Sequence, residues 1–256
     1  MDVIKTYNKK LYNENMLLGS RYSVRIKKLN DEELKNVINY IHENNKKAFV
    51  NVNQIFHNED ILNLEDYLKF LKDIKADYIV FSDLGVLNVA RKLNMENMLI
   101  YNPDTLLTNY LDINLYKSFN IYGCFISPIL NIEEIKEIIK HKEIKLFYIG
   151  VGNINIFYSK RRLIDTYFDF VNKNYSDGTY FLKEETRDNL YPFIQDDKGC
   201  HMFTPYVMSY KKYQSDLKEL DYIIYDDLFV DDIDKAFDEG IPGFLEKNIV
   251  YRKECF

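Results

Sequence analysis

A repeated alternation of short apolar runs with amphipathic helical stretches constrains this chain more than any other feature. KAFVNVN (47–53), DYIVFSD (77–83), NMLIYN (97–102), IYGCFIS (121–127), IKLFYIG (144–150) and DYIIYDD (221–227) read as strands. Most are near-continuous in apolar residues, as parallel strands buried on both faces should be. MLLGS (16–20) reads as a member of the same sheet. Between these runs, NDEELKNVINYIHENN opens with Asn30 at an N-cap and Glu33 at the capping-box position, and sets Leu34, Val37, Ile38 and Ile41 on one face. EDILNLEDYLKFLKDI from Glu59, LGVLNVARKL, DTLLTNYLDINLYKSF and NIEEIKEIIKHK continue the helical series. The connections NNKKA and IKADY are short, which suits right-handed βαβ units. About seven such units predict an α/β fold of the (β/α) TIM-like barrel type rather than an open doubly wound sheet. No Gly-x-Gly-x-x-Gly follows the first strand, so the dinucleotide-binding reading lacks its fingerprint. Too little chain precedes Met16 for a full first strand and helix. Whether the barrel closes at its N-terminus stays open at the level of sequence; an edge left open there is one that a partner subunit could cover.

The rhythm breaks after Phe170. NKNYSDGTYFLKEETRDNLYPFIQDDKGCHMFTP is polar and rich in turn signals, and predicts an insertion at about 171–209. Within it, YPFIQDDKGCHMF reads as a small hairpin turning at Asp197–Gly199. GFLEKNIVYRKECF reads as an extended tail packed on the barrel. No linker divides the 256 residues, which are expected to form one domain.

Composition narrows the function classes. The net charge of −6 disfavours autonomous nucleic-acid binding, since phosphate contacts require a basic face. Cys124, Cys200 and Cys255 stand far apart with no C-x-x-C spacing, so neither a disulfide framework nor a metal cage is expected, and a reducing compartment is. No apolar run reaches the ~18 residues of a membrane span, and MDVIKTYNKKLY has no signal-peptide core. A cytoplasmic protein without membrane contact is the expectation. The core must rely on 22 Tyr and 17 Phe, because the chain has no Trp; buried Tyr hydroxyls then need partners.

Candidate functional residues fall at strand ends, the catalytic side of a barrel. His57, with Asn53 and Asn58 beside it, is either a general base or ligand donor, or part of a helix start that Asn58 caps. Asp83 is a mouth carboxylate or, by preference, the N-cap of the next helix. Asp226 and Asp227 pose the same choice, and without a third ligand they are weak grounds for a cation. YIGVGNINIFYSKRR (148–162) has the layout of an active-site loop: strand, Gly150 and Gly152, then a helix start. Its turn holds no Cys, His, Asp or Glu. Tyr158, Ser159 and Arg161 open the predicted helix, where Arg161 could clamp an anion and Ser159 serves as a cap rather than a nucleophile.

Several of these segments together resemble the U32 peptidase family, also called the collagenase-like protease family. They are VNVNQIFHNEDI (Asn53, His57, Asn58), DYIVFSDLGVL (Asp83, Gly85), LLTN (Thr108, Asn109), IFYSKRRLIDTYF (Tyr158, Ser159, Arg161) and ETRDNLYPFIQDDKGCHMFTP (Arg187, Asp188, Asn189, Tyr191, Pro192, Gly199, His201). The resemblance is strongest to the family's short members, which stand beside a longer homologue and are implicated in tRNA wobble-uridine hydroxylation. It implies a barrel whose mouth groups include Asn53, His57, Asp83, Tyr158, Ser159, Arg161 and Arg187; reading the residues themselves adds Arg25 and Asp226 as candidates.

The departures are as informative. Val151 stands where the family carries a His, Asn155 where its first cysteine falls, Arg162 where the next would be, and Pro128-Ile129 in place of an Arg-Glu pair. Neither Asn nor Arg can hold an iron–sulfur cluster, so no cofactor is expected. The resemblance implies, first, a degenerate partner subunit for a longer, cluster-bearing homologue, touching tRNA only through that complex. It also leaves open a U32-type peptidase, and a carboxylate-binding barrel using Arg25, His57 and Arg161, since hydroxylating members draw on prephenate. Whether the chain is itself an enzyme stays open at the level of sequence.

Overall fold

The computed structural model describes residues 1–103, 107–186 and 188–246. The barrel opens with β1 (Asp2–Thr6), β2 (Asn15–Gly19), α1 (Asp31–Glu43), β3 (Ala48–Val52), α2 (Asn58–Ile61), α3 (Leu64–Asp73) and β4 (Tyr78–Phe81). It continues through α4 (Leu84–Lys92), β5 (Leu99–Tyr101), α5 (Tyr110–Leu115), β6 (Gly123–Phe125), α6 (Ile132–Lys140) and β7 (Lys145–Gly152). A separate unit follows: β8 (Asn155–Ser159), α7 (Leu163–Phe170), β9 (Tyr180–Lys183), β10 (Leu190–Asp196) and β11 (Gly199–Phe203). The chain returns through β12 (Met208–Ser209), β13 (Tyr222–Tyr225) and α8 (Ile233–Glu239).

The larger sheet has nine strands; β12 runs antiparallel, and the other eight are parallel and close on themselves. Their order is β13-β1-β2-β3-β4-β5-β6-β7, with β7 pairing back onto β13. The N-terminus corrects the expectation that too little chain precedes Met16 for a first strand, and closes the barrel. β1 is a full strand, in register with β13 from Asp2↔Tyr222 to Lys5↔Tyr225 and with β2 from Ile4↔Asn15 to Thr6↔Leu17. Only the helix between the first two strands is missing, replaced by a loop over 7–14. No open edge is left there.

Alternate residues of the eight strands fill the inside of the barrel. Ile4, Leu17, Phe49, Val80, Ile100, Phe125, Phe147, Tyr222 and Ile224 form one buried cluster. Aromatic rings replace the missing Trp as its bulk: Phe147 stacks on Tyr222 at 4.5 Å and on Phe125 at 5.3 Å. The Tyr122 and Tyr222 hydroxyls satisfy each other at 2.6 Å. A second, larger cluster fills the space between strands and helices, with Leu34, Ile38 and Ile41 of α1 facing it. The capping box is formed as expected: Glu33 N–H donates to Asn30 Oδ1 at 2.9 Å and Asn30 N–H to Glu33 Oε2 at 3.0 Å. The single helix expected from Glu59 is instead two, α2 and α3.

The added unit is a four-stranded antiparallel sheet, ordered β8-β11-β10-β9, with α7 against it. The expected hairpin is its centre, with Asp196 paired to Gly199 across the turn. The sheet starts earlier than residue 171, because Asn155–Ser159 pairs with β11. The helix expected at Tyr158–Arg161 is therefore strand and turn, and α7 begins only at Leu163. Of the expected extended tail, residues 247–256 lie outside the described residues, as do Arg187 and part of DTLLT.

Gly199 shows how tightly this sheet is specified. Its φ of +138° suits glycine, and a Cβ there would sit 2.3 Å from the Ser159 carbonyl oxygen on the neighbouring strand. Gly199→Ala is expected to lower unfolding stability by more than ~2 kcal/mol in urea denaturation; a loss below ~0.5 kcal/mol would contradict this packing.

Candidate functional site

Period-two alternation carries a polar layer to the top of the barrel. Two residues beyond the apolar interior positions stand Thr6, Asn51, Ser82, Asn102, Ser127 and Asp226, one each from six strands or the turns that follow them. Side chains at this C-terminal end surround a cavity of about 470 Å³. Val24, Arg25, Asn53, Ser82, Pro103, Ser127, Pro128 and Ile129 form its floor and walls from the barrel. Asn155, Ile156, Phe157, Tyr158 and His201 close it from the added sheet, and Phe244 completes the rim. The size and mixed lining suit a small-molecule or single-residue ligand.

Arg25 is central to its electrostatics. Its loop follows β2 and is pinned by Asn53, whose Oδ1 accepts from Val24 N–H at 3.0 Å, and by Ser20, whose hydroxyl donates to the Asn51 carbonyl at 2.6 Å. Arg25 itself has φ of +61°, a left-handed conformation rare outside glycine and asparagine. Asn155, with its amide oriented to satisfy its neighbours, accepts from Arg25 Nη1 at 3.1 Å and donates to the carbonyls of Met202 and Phe157. The guanidinium also acts on Asp226, Tyr158 and His201, the groups whose titration it perturbs.

His201 is buried, stacks on Tyr158 at 4.9 Å, and has no hydrogen-bond partner for either ring nitrogen among the described residues. Burial and the Arg25 charge lower its pKa to about 3, so it presents a neutral imidazole with one donor and one acceptor. Ser127 Oγ, Asn51 Oδ1 and both Gln54 amide atoms are likewise buried without a partner among the described residues. Such groups cost ~1–3 kcal/mol each when unmet; of these, Ser127 and His201 line the cavity.

Asp226 and Asp227 occupy the junction of β13 and β1. Asp227 accepts from Thr6 Oγ1 at 2.6 Å, from Asn8 Nδ2 at 2.8 Å and from Asn8 N–H at 3.2 Å. Asp226 accepts from Leu228 N–H at 3.0 Å, and its Oδ1 lies 3.2 Å from Thr6 Oγ1, whose single proton is given to the shorter contact with Asp227. Although Asp226 retains some surface exposure, its carboxyl is packed away from water, and that burial pushes its pKa up to about 6.

The other residues singled out from sequence are distributed differently. His57 is exposed, sits at the N-cap of α2 and lies outside the cavity; its N–H donates to Asp60 at 3.0 Å. Asp83 caps α4 through Gly85 N–H at 2.7 Å and ties down Phe56 N–H at 3.0 Å. Ser159 Oγ accepts from Arg161 N–H at 3.2 Å, and Arg161 is exposed outside the cavity. Arg187 lies outside the described residues. Arg25, Asn53 and Tyr158 are brought together at the mouth, and the Arg25 charge reaches Asp226. Sequence reasoning did not single out Asn155, Ser127 or His201 as mouth groups. The signal for Ser127 was its place two residues past an inward Phe; His201 depends on a strand pairing across about forty residues.

The glycines of the quoted loop serve packing. A Cβ on Gly150 would lie 2.4 Å from Ile223 Cδ1, and one on Gly152, at φ +133°, would lie 2.8 Å from the Asp226 carbonyl oxygen. Gly152 lets the chain leave β7 close to the β13 turn and enter the added sheet.

Among the described residues, Cys124 and Cys200 do not converge as ligands of a cluster. Cys124 is buried on β6, where burial pushes its thiol pKa up, while Cys200 is buried on β11 with its thiol engaged by the Arg161 carbonyl and Gln195. No group of three His, Cys, Asp or Glu side chains converges as a metal site among the described residues.

A closed barrel with an inserted sheet roofing its mouth defines the class. The chain matches the model of peptidase family U32 over residues 14–224 and belongs to that family. The tRNA hydroxylation protein P2 of Bacillus subtilis (strain 168) is 28% identical over 231 residues, spanning 88% of this chain and 69% of that protein. The tRNA hydroxylation protein P of Escherichia coli (strain K12) is 27% identical over 192 residues, 72% of this chain and 42% of that one. Among solved structures, the U32 peptidase Mk0906 superposes with a TM-score of 0.57 at 8% identity, over 88% of this chain and 92% of its own. That likeness concerns the fold.

Asp226 supplies a test of this electrostatic picture. Its folded-state pKa of about 6 lies above the ordinary 3.8, so between those values the folded chain holds a proton that the unfolded chain has released. Stability contributed by this group therefore falls as pH rises through that window. Asp226→Asn keeps an acceptor for Leu228 N–H and is expected to exceed wild type by on the order of 1–3 kcal/mol at about pH 8, with the gain gone near pH 4. Equal gains at both pH values in denaturant titrations would contradict a buried, proton-holding carboxyl.

Proposed function

We propose that this chain acts in the 5-hydroxylation of tRNA wobble uridines, as a partner subunit of a longer, cluster-bearing family member. The observation that carries this reading is the similarity to tRNA hydroxylation protein P2 over 88% of the chain. The mouth supports it chemically. The cavity offers a cation, a neutral imidazole, amides and hydroxyls for holding a ligand, and the described cysteines lie apart with their thiols buried. On this reading the redox centre belongs to the partner and the shaped barrel mouth to this chain. The overall charge of −6 fits contact with tRNA through the complex rather than alone. A cytoplasmic location follows from that role.

A peptidase reading finds less support. Ser127 and His201 both face the cavity, but no hydrogen bond joins them among the described residues, and a nucleophile needs its base within reach.

Deleting the gene is expected to abolish 5-hydroxyuridine-derived nucleosides in total tRNA, measured by mass spectrometry, and the wild-type gene to restore them. An unchanged nucleoside profile in a strain with no second short family member would overturn the proposal.

A further inference from the structure

The mouth cavity is polar at depth and apolar at its entrance. His201 and Ser127 line it at 1% and 4% exposure, and the His201 ring nitrogens and Ser127 Oγ have no hydrogen-bond partner among the described residues. Ile55, Ile129 and Tyr158 line it at 47%, 46% and 40% exposure. The pairing His201↔Tyr158 across β8 and β11 sets both rings on one face of the added sheet, where they stack at 4.9 Å. Burying a hydroxyl and an imidazole without partners opposes folding. The arrangement is one that a ligand completes.

Three features select that ligand. His201 is held neutral, so one ring nitrogen donates and the other accepts, and the Ser127 hydroxyl does either. Such a pair suits a neutral edge carrying both a donor and an acceptor, whereas an anion is served best by charged donors. Tyr158 and the aliphatic rim suit a flat ring. A volume of about 470 Å³ suits one nucleoside rather than a run of stacked bases.

We infer that this cavity takes one unstacked uracil base of an RNA strand, its imide edge to His201 and Ser127 and its ring among the apolar side chains of the rim. The inference rests on the proposed role in tRNA hydroxylation and adds a division of labour, in which this chain holds the base. Entry edge first leaves the sugar and phosphate at the rim, where the half-buried Arg25 supplies a cation. A base already in a single strand is the least costly to extrude.

Ligand-observed NMR titration of the full chain with uridine 5′-monophosphate (UMP) tests this, with a Kd expected at about 1 mM or below. The N3-methyl form of UMP, which lacks the imide donor, should bind at least ~10-fold more weakly. UMP should bind Ser127→Ala and His201→Phe more weakly by a similar factor. Both variants should melt at or above the wild-type temperature, because each removes a polar group that the free chain leaves unpaired; a residue that only holds the fold would lower it. An RNA trinucleotide with uracil at its centre should bind tighter than UMP. No UMP binding at about 10 mM overturns the inference, as does equal affinity for the N3-methyl form or full affinity in both variants. Benzoate binding tighter than UMP also overturns it and assigns the cavity to an aromatic carboxylate. UMP binding tighter than the trinucleotide overturns it in favour of a free nucleotide. If UMP fails to bind while gene deletion still removes the modified nucleosides, the inference fails alone; if UMP binds and deletion leaves tRNA unchanged, the proposed role fails alone.

Discussion

The mouth of this protein depends on one ladder of hydrogen bonds, that between β1 and β13. It joins residues more than two hundred positions apart, from Asp2↔Tyr222 to Lys5↔Tyr225, and turns an open sheet into a closed barrel. Closure removes the free edge that a parallel sheet would otherwise present. It also fixes which side chains face inward, because a one-residue slip would exchange inside for outside. With the register set, each strand delivers its apolar residue to the interior and a polar one to the rim. Thr6 can then meet Asp226 and Asp227, and those carboxylates find donors although partly or fully withdrawn from water.

The second constraint is the exit from β7. Gly152 takes the chain past the Asp226 backbone into β8, and the four-stranded sheet that follows is laid over the cavity. Half of the site is thus barrel and half roof: Arg25, Asn53 and Ser127 from below, Asn155, Tyr158 and His201 from above. Arg25 links the halves through Asn155. The loop that looked like an active-site turn emptied of reactive groups is a corner, and the chemistry of the mouth resides in the elements it brings together.

Much of the barrel could be read from sequence because its strands are apolar on both faces and its helices begin with strong caps. Asn30 and Asp83 cap as their local sequences suggest, and Asn131 caps α6. β1 escaped because DVIKT carries polar residues whose partners are remote. Lys5 pairs with Asp234 and lies over Tyr12, and Thr6 bonds to Asp227. Tyr158 and Ser159 were expected in a helix, since basic residues follow a glycine turn there; pairing with Cys200 and His201 on a distant strand overrode that local preference. For His57 the sequence left two readings open, and the structure places it at the N-cap of α2, exposed and not among the residues lining the cavity.

The proposed role in tRNA hydroxylation rests on the barrel mouth. The most direct test compares two arginines encoded at the native locus, Arg25 inside the mouth and Arg161 outside it. With both variant proteins present at wild-type levels, Arg25→Ala should reduce hydroxylated wobble uridine in tRNA by more than about tenfold, the effect of ~1.4 kcal/mol, while Arg161→Ala leaves it unchanged. Full modification with Arg25→Ala, or equal loss in both strains, would contradict a role for the mouth.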